Sequence, residues 1–172
     1  MNPFVNPHKR SVLLPSGCKD LIDVLRRIES MSEESGFIIK PERFEEDGLA
    51  HIHHYVTRMV ESSAKAVTLY IKSLNGECAV GLRRSASEFS MHPLMGIVER
   101  EKAVKEFFAR RVIEPIADFL VGHAGMPTRV LAFSLPPTAT VAAALTIDLM
   151  CEVYGFKETS GIEFTYLEDS GV

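Results

Sequence analysis

The dipeptide Asn75-Gly76, flanked on both sides by alternating apolar and polar residues, constrains this chain more than any other feature of its sequence. A two-residue type I′ turn needs positive φ at both central positions, and Asn-Gly meets that need at the lowest steric cost. With the pair in the loop, the register of two strands over residues 66–73 and 77–84 follows. Lys72 opposes Ala79, Tyr70 opposes Gly81 and Thr68 opposes Arg83, while Ile71 opposes Val80 and Leu69 opposes Leu82. One face of this hairpin is apolar and the other polar, as a half-buried antiparallel sheet requires. Tyr70 covers the bare backbone of Gly81 across the ladder.

Residues 51–61 fit two patterns. Alternation sets His51, His53, Tyr55, Thr57 and Met59 against Ile52, His54, Val56, Arg58 and Val60, whereas Leu49, Ile52, Val56, Met59 and Val60 also meet helical spacing. A strand is preferred, because Ile, Tyr, Val and Thr favour strands and three histidines are poor helix formers. Residues 62–65 would then turn into the hairpin, making three antiparallel strands. Farther along, Pro93 suits the first position of an amphipathic helix through Ile97, Val104, Phe107 and Phe108, which Pro115 should kink or divide before a turn-rich piece over 116–121. A strand over 128–135, a helix over 138–154 and a strand over 162–167 complete this half. The two strands are either parallel through a right-handed crossover or antiparallel with other strands between them.

The expected fold class is α/β of the α+β type: a single mixed, largely antiparallel sheet covered mainly on one face by three to four helices. Residues 1–15 read as an extended arm with two Asn-Pro steps and a short edge strand at 11–14, and 16–172 as one domain that opens with a helix at 19–33. The helix over 138–154 is apolar almost all round, leaving a narrow polar line through Asp148 and Glu152. It must be buried on more than one side, against its own fold or against a second copy of the chain.

Composition narrows the function classes. With 46% apolar residues among 172, the chain can build a core without disulfides or metal. A net charge of −4 makes no electrostatic case for a nucleic-acid partner. No segment has the length of a signal peptide core or a membrane span, and three cysteines without a C-x-x-C pair suit a reducing compartment, so the expectation is a soluble, cytoplasmic protein.

Two sets of residues could carry chemistry. If 51–61 is a strand, His51 and His53 project from one face and can both reach one transition metal, although a third ligand is not specified. The same face then gathers His51, His53, Tyr55, Tyr70, Lys72 and Arg83, a mixture of aromatic, cationic and hydrogen-bonding groups suited to a small anionic ligand or a protein partner. Cys18 precedes a helix, where a thiol can become nucleophilic, while Cys78 and Cys151 read as core residues. The pairs Arg83-Arg84 and Arg110-Arg111 either clamp an anion or flank their elements. The pentapeptide Tyr154-Gly155-Phe156-Lys157-Glu158 resembles the helix-to-strand corner of acyl-CoA-dependent N-acetyltransferases, but the glycine-bearing pyrophosphate loop of that family is absent and its activity is not carried over. No phosphate-binding loop, dinucleotide fingerprint, nucleophile elbow or H-E-x-x-H is present. The sequence thus favours a non-catalytic ligand-binding or assembly module acting as a homodimer, with no required cofactor. A metal-assisted, hydrolase-like enzyme built on His51 and His53 is the alternative.

Overall fold

The computed structural model describes residues 41–75, 79–94, 98–123 and 126–169. The arm, the strand at 11–14, the helix at 19–33, and Cys18, Glu77 and Cys78 lie outside the described residues. In chain order the elements are β1 (Glu42–Phe44), a 3₁₀ turn (Gly48–His51), α1 (Ile52–Glu61), β2 (Ala66–Ser73), β3 (Ala79–Ser85), β4 (Phe89–Leu94), α2 (Val98–Ala109), β5 (Pro115–His123), β6 (Met126–Ser134), α3 (Ala139–Glu152) and β7 (Ile162–Asp169).

The seven strands form one sheet in the order β1-β7-β2-β3-β4-β6-β5, and every pairing among them is antiparallel. The hairpin has the register that Asn75-Gly76 implies, from Ala66 opposite Ser85 to Lys72 opposite Ala79. Its flanking strands are β7 beside β2 and β4 beside β3. Because the strands alternate in direction, β6 and β7 point the same way but stand apart, with β4, β3 and β2 between them. The two strands are thus parallel, as the first of the expected arrangements has it, and separated by other strands, as the second has it, joined by a wide crossover through α3; the sheet is antiparallel rather than mixed.

Residues 51–61 are a helix and not a strand. Ile52, Tyr55, Val56 and Met59 are all buried at positions i, i+3, i+4 and i+7, so one helical stripe meets the core and outweighs the weak local preference of the histidines. Pro93 belongs to β4 opposite Val80, not to the start of a helix. The β4–β6 ladder pairs Met91 with Phe133 and next Leu94 with Val130, so the interruption falls where Pro93 has no N–H to donate. Pro115 likewise opens β5, a position that asks no donor of it, and α2 ends six residues earlier.

The end of α2 explains how the chain turns into β5. Val112 N–H donates to Ala109 O at 3.0 Å and Ile113 N–H to Phe108 O at 3.0 Å, the bond pair of a Schellman motif, with Val112 at φ 58° in the position usually given to glycine. A left-handed β-branched residue costs about 1–2 kcal/mol.

Buried side chains of the three helices among the described residues join one core with Leu69, Ile71, Leu82, Met91, Leu131, Phe133 and Phe164 of the sheet. Phe108 stacks on Phe133 with ring centroids 3.6 Å apart, and Tyr55 stacks on Phe164 at 4.3 Å. The apolar α3 packs against α1 and also touches α2, burying Ala142, Ala143, Leu145, Leu149 and Met150. Its surplus of apolar surface is therefore absorbed mostly within the chain. No helix among the described residues is long and apolar enough to cross a membrane.

Candidate functional site

A strand sends neighbouring side chains to opposite faces, and this separates the two arginines of the hairpin. Arg84 turns toward the helices and donates to the carbonyls of Met59 (2.6 Å), Ser62 (2.8 Å) and Ala64 (3.1 Å), closing the carboxy-terminal end of α1. Arg83 takes the other face. There it lies in a cross-strand row with Thr68 on one side and Ser90 on the other. The next row runs Thr165, Tyr70, Gly81, His92. Lys72 begins a third, between Glu163 and Ala79.

These rows hold all the buried polar residues of the described strands except Ser73. Arg83 is 8% exposed and His92 1%, and Thr68, Ser90 and Thr165 are buried beside them, with Tyr70 and Lys72 half-buried. Ser90 Oγ and His92 Nε2 share a hydrogen bond of 2.9 Å. His92 Nδ1 has no hydrogen-bond partner among the described residues, although leaving such an atom buried costs about 1–3 kcal/mol. Burial, and secondarily the charge of Arg83, push the His92 imidazole down to about 3, so it is neutral at physiological pH. If the Ser90 hydroxyl donates to Nε2, the neutral ring carries its proton on Nδ1 and presents it as a donor beside a guanidinium. Gly81 contributes no side chain between the rings of Tyr70 and His92. A cation, an imidazole nitrogen and hydroxyls at neighbouring positions of one face are groups that can recognise a carboxylate or a phosphate.

Of the six residues expected to share a binding face, Tyr70, Lys72 and Arg83 do so. His51, His53 and Tyr55 do not, because the 3₁₀ turn and α1 carry them to the other side of the core. His51 stacks on Phe44 with centroids 3.6 Å apart. His53 is exposed, its ring nitrogens 3.5 Å from the hydroxyls of Thr57 and Thr140. Residues two apart on a helix do not face one another, so the pair of imidazole ligands that a strand would have aligned is not formed. Among the described residues no group of three His, Cys, Asp or Glu could hold a metal ion. Tyr55 is a core residue whose hydroxyl donates to Glu42, tying β1 to α1; burial first and then Glu42 raise its pKa.

Ser90 and His92 were absent from the expected site because Pro93 read as a helix start. The signal was available in Phe89-Ser90-Met91-His92, which alternates in the same way as the hairpin. Arg110 and Arg111 reach Glu152 at 2.9 and 2.6 Å and so join α2 to α3 instead of waiting for an anion. Cys151 is half-buried, and burial followed by Asp148 and Glu152 pushes its thiol up, away from nucleophilic character. Gly155, within the pentapeptide that resembles an acetyltransferase corner, has φ 71° and ends α3 beside a cleft of about 400 Å³ lined by Ser73, Asn75, Arg100 and Tyr154.

Comparison with family models, with curated proteins and with solved structures finds no match for the chain. The functional reading therefore rests on the geometry of the sheet face.

Proposed function

We propose that this protein is a non-catalytic binding module for a small anionic ligand bearing a carboxylate or phosphate, held on the polar sheet face with the helices on the other. The observation that carries this reading is the burial of Arg83 and His92 at neighbouring positions of one face, with His92 Nδ1 left without a partner among the described residues. Arg83 supplies the charge, while His92, Thr68 and Tyr70 supply hydrogen bonds that set the orientation. The neutral imidazole suits binding better than acid–base catalysis, which works best with a group titrating near the working pH.

Titration calorimetry of the full chain with inorganic phosphate and with succinate, using succinamide as the neutral control, tests this. Wild-type protein should bind at least one of the anions and not the amide, and Arg83→Met should weaken binding at least about tenfold, the effect of losing about 1.4 kcal/mol. Binding should also take up protons in acidic buffer, because an anion next to His92 raises its pKa. Absence of binding by the wild type, or equal binding by the neutral control, would overturn the proposal. If Arg83→Met does not fold, the same comparison with His92→Gln decides it.

A further inference from the structure

On the helix side of the sheet, where Arg84 meets the end of α1, the β3–β4 turn and the linker from β6 to α3 enclose a cleft of about 380 Å³. Val60, Arg84, Glu88, Phe89, Leu135 and Pro137 stand in its walls. Hydrogen bonds fix this frame. Ser85 N–H donates to Glu88 O at 2.7 Å, closing the turn over Ala86 and Ser87, and Leu135 N–H donates to Phe89 O at 2.8 Å, holding the linker on β4. The volume falls within the range of small-molecule sites, roughly 300–1,000 Å³.

Two opposite charges line the cleft, and among the described residues neither forms an ion pair, in contrast to Arg110 and Glu152. The three carbonyl bonds that pin Arg84 use Nε and Nη2, so they hold the guanidinium still while Nη1 stays available as a donor. Glu88 Oε1 is buried and accepts no hydrogen bond. A carboxylate oxygen left without a donor is a penalty on the folded chain, and the last torsion of a glutamate is broad, so the group can turn that oxygen to a donor in the cleft at little cost. The rest of the lining is apolar. Leu135 belongs to the core, and Val60 and Phe89 pack against it.

A simple anion here would meet Arg84 but be repelled by Glu88, and a simple cation would meet the reverse. A zwitterion satisfies both charges. We propose that this cleft binds a free α-amino acid with an aliphatic side chain. Its ammonium group donates to Glu88, its carboxylate accepts from Arg84 Nη1, and its side chain lies against Val60, Phe89 and Leu135. The site is on the opposite side of the sheet from Arg83 and His92 and does not depend on the anion site.

Titration calorimetry of the full chain with L-leucine tests the proposal. Leucine should bind at one site per chain, while leucinamide, which lacks the carboxylate, and isocaproate, which lacks the ammonium group, should each bind at least about tenfold more weakly. Glu88→Gln should weaken leucine binding by a similar factor with the circular dichroism spectrum unchanged. A wild type that does not bind leucine, a half-ligand that binds as tightly as leucine, or a Glu88→Gln variant that binds leucine like the wild type would overturn the proposal. If the variant fails to fold, amide shifts of the wild type decide the matter: leucine should move the amides of residues 85–89 and 135, and shifts centred instead on Tyr70 and His92 would refute the site.

Discussion

His92 couples the candidate site to solution conditions. In the folded chain it is held down to about 3 by burial and then by Arg83, whereas an unfolded chain lets it return to its ordinary 6.5. Between those values the unfolded chain binds more protons, so stability present above pH 6.5 is lost as pH falls toward 3. Each unit of difference corresponds to about 1.4 kcal/mol. Urea midpoints measured from neutral pH down to about pH 4 should therefore drop steeply for the wild type and more gently for His92→Gln. Equal slopes would show that another group controls the acid limb. The residue scale is also where the sequence was partly legible. Tyr70, Lys72 and Arg83 could be placed because a turn dipeptide specifies register, and register decides which face each side chain takes. His51, His53 and Tyr55 could not, because nothing local reveals that a stripe of Ile52, Val56 and Met59 will find a core to cover it.

Among the elements, α1 shows how packing supplies what local sequence lacks. Its first residue has no side-chain cap, and its last turn is closed from outside by Arg84 of β3. Replacing Arg84 with Met removes three hydrogen bonds from a charged donor to carbonyls, each contributing about 1.5–3 kcal/mol when isolated. The bonds share one side chain and are not additive, so a loss of about 2–4 kcal/mol is expected in urea unfolding. A change within about 0.5 kcal/mol would place Arg84 among ordinary surface residues. The turn before α1 approaches β7 so closely that a Cβ on Gly48 would lie 2.6 Å from Ile162. Such a close approach has no signature in a single sequence, whereas the hairpin does, which is why one element was read to the residue and the other was assigned the wrong periodicity.

For the whole molecule, the connection from β6 through α3 to β7 governs assembly. β7 is inserted between β1 and β2, so β1 has no place in the sheet until β7 has arrived. The β2–β3–β4 meander needs only local contacts and should form first. Phe164→Ala in β7 and Leu82→Ala in β3 each remove a fully buried side chain and should cost about 2–5 kcal/mol. Their kinetic signatures should differ: Leu82→Ala should slow folding, while Phe164→Ala should mainly speed unfolding. The reverse pattern would show that the crossover docks early. Antiparallel strands in general were legible from alternation, but strand order was not, because it depends on long-range closures that no local pattern encodes. The β1 edge of the sheet bears on the size of any assembly. At the β1 edge the described sheet ends in a strand of only three residues, with Arg43 paired to Glu163, too little backbone to template a further strand, so a fibre could not grow from that side.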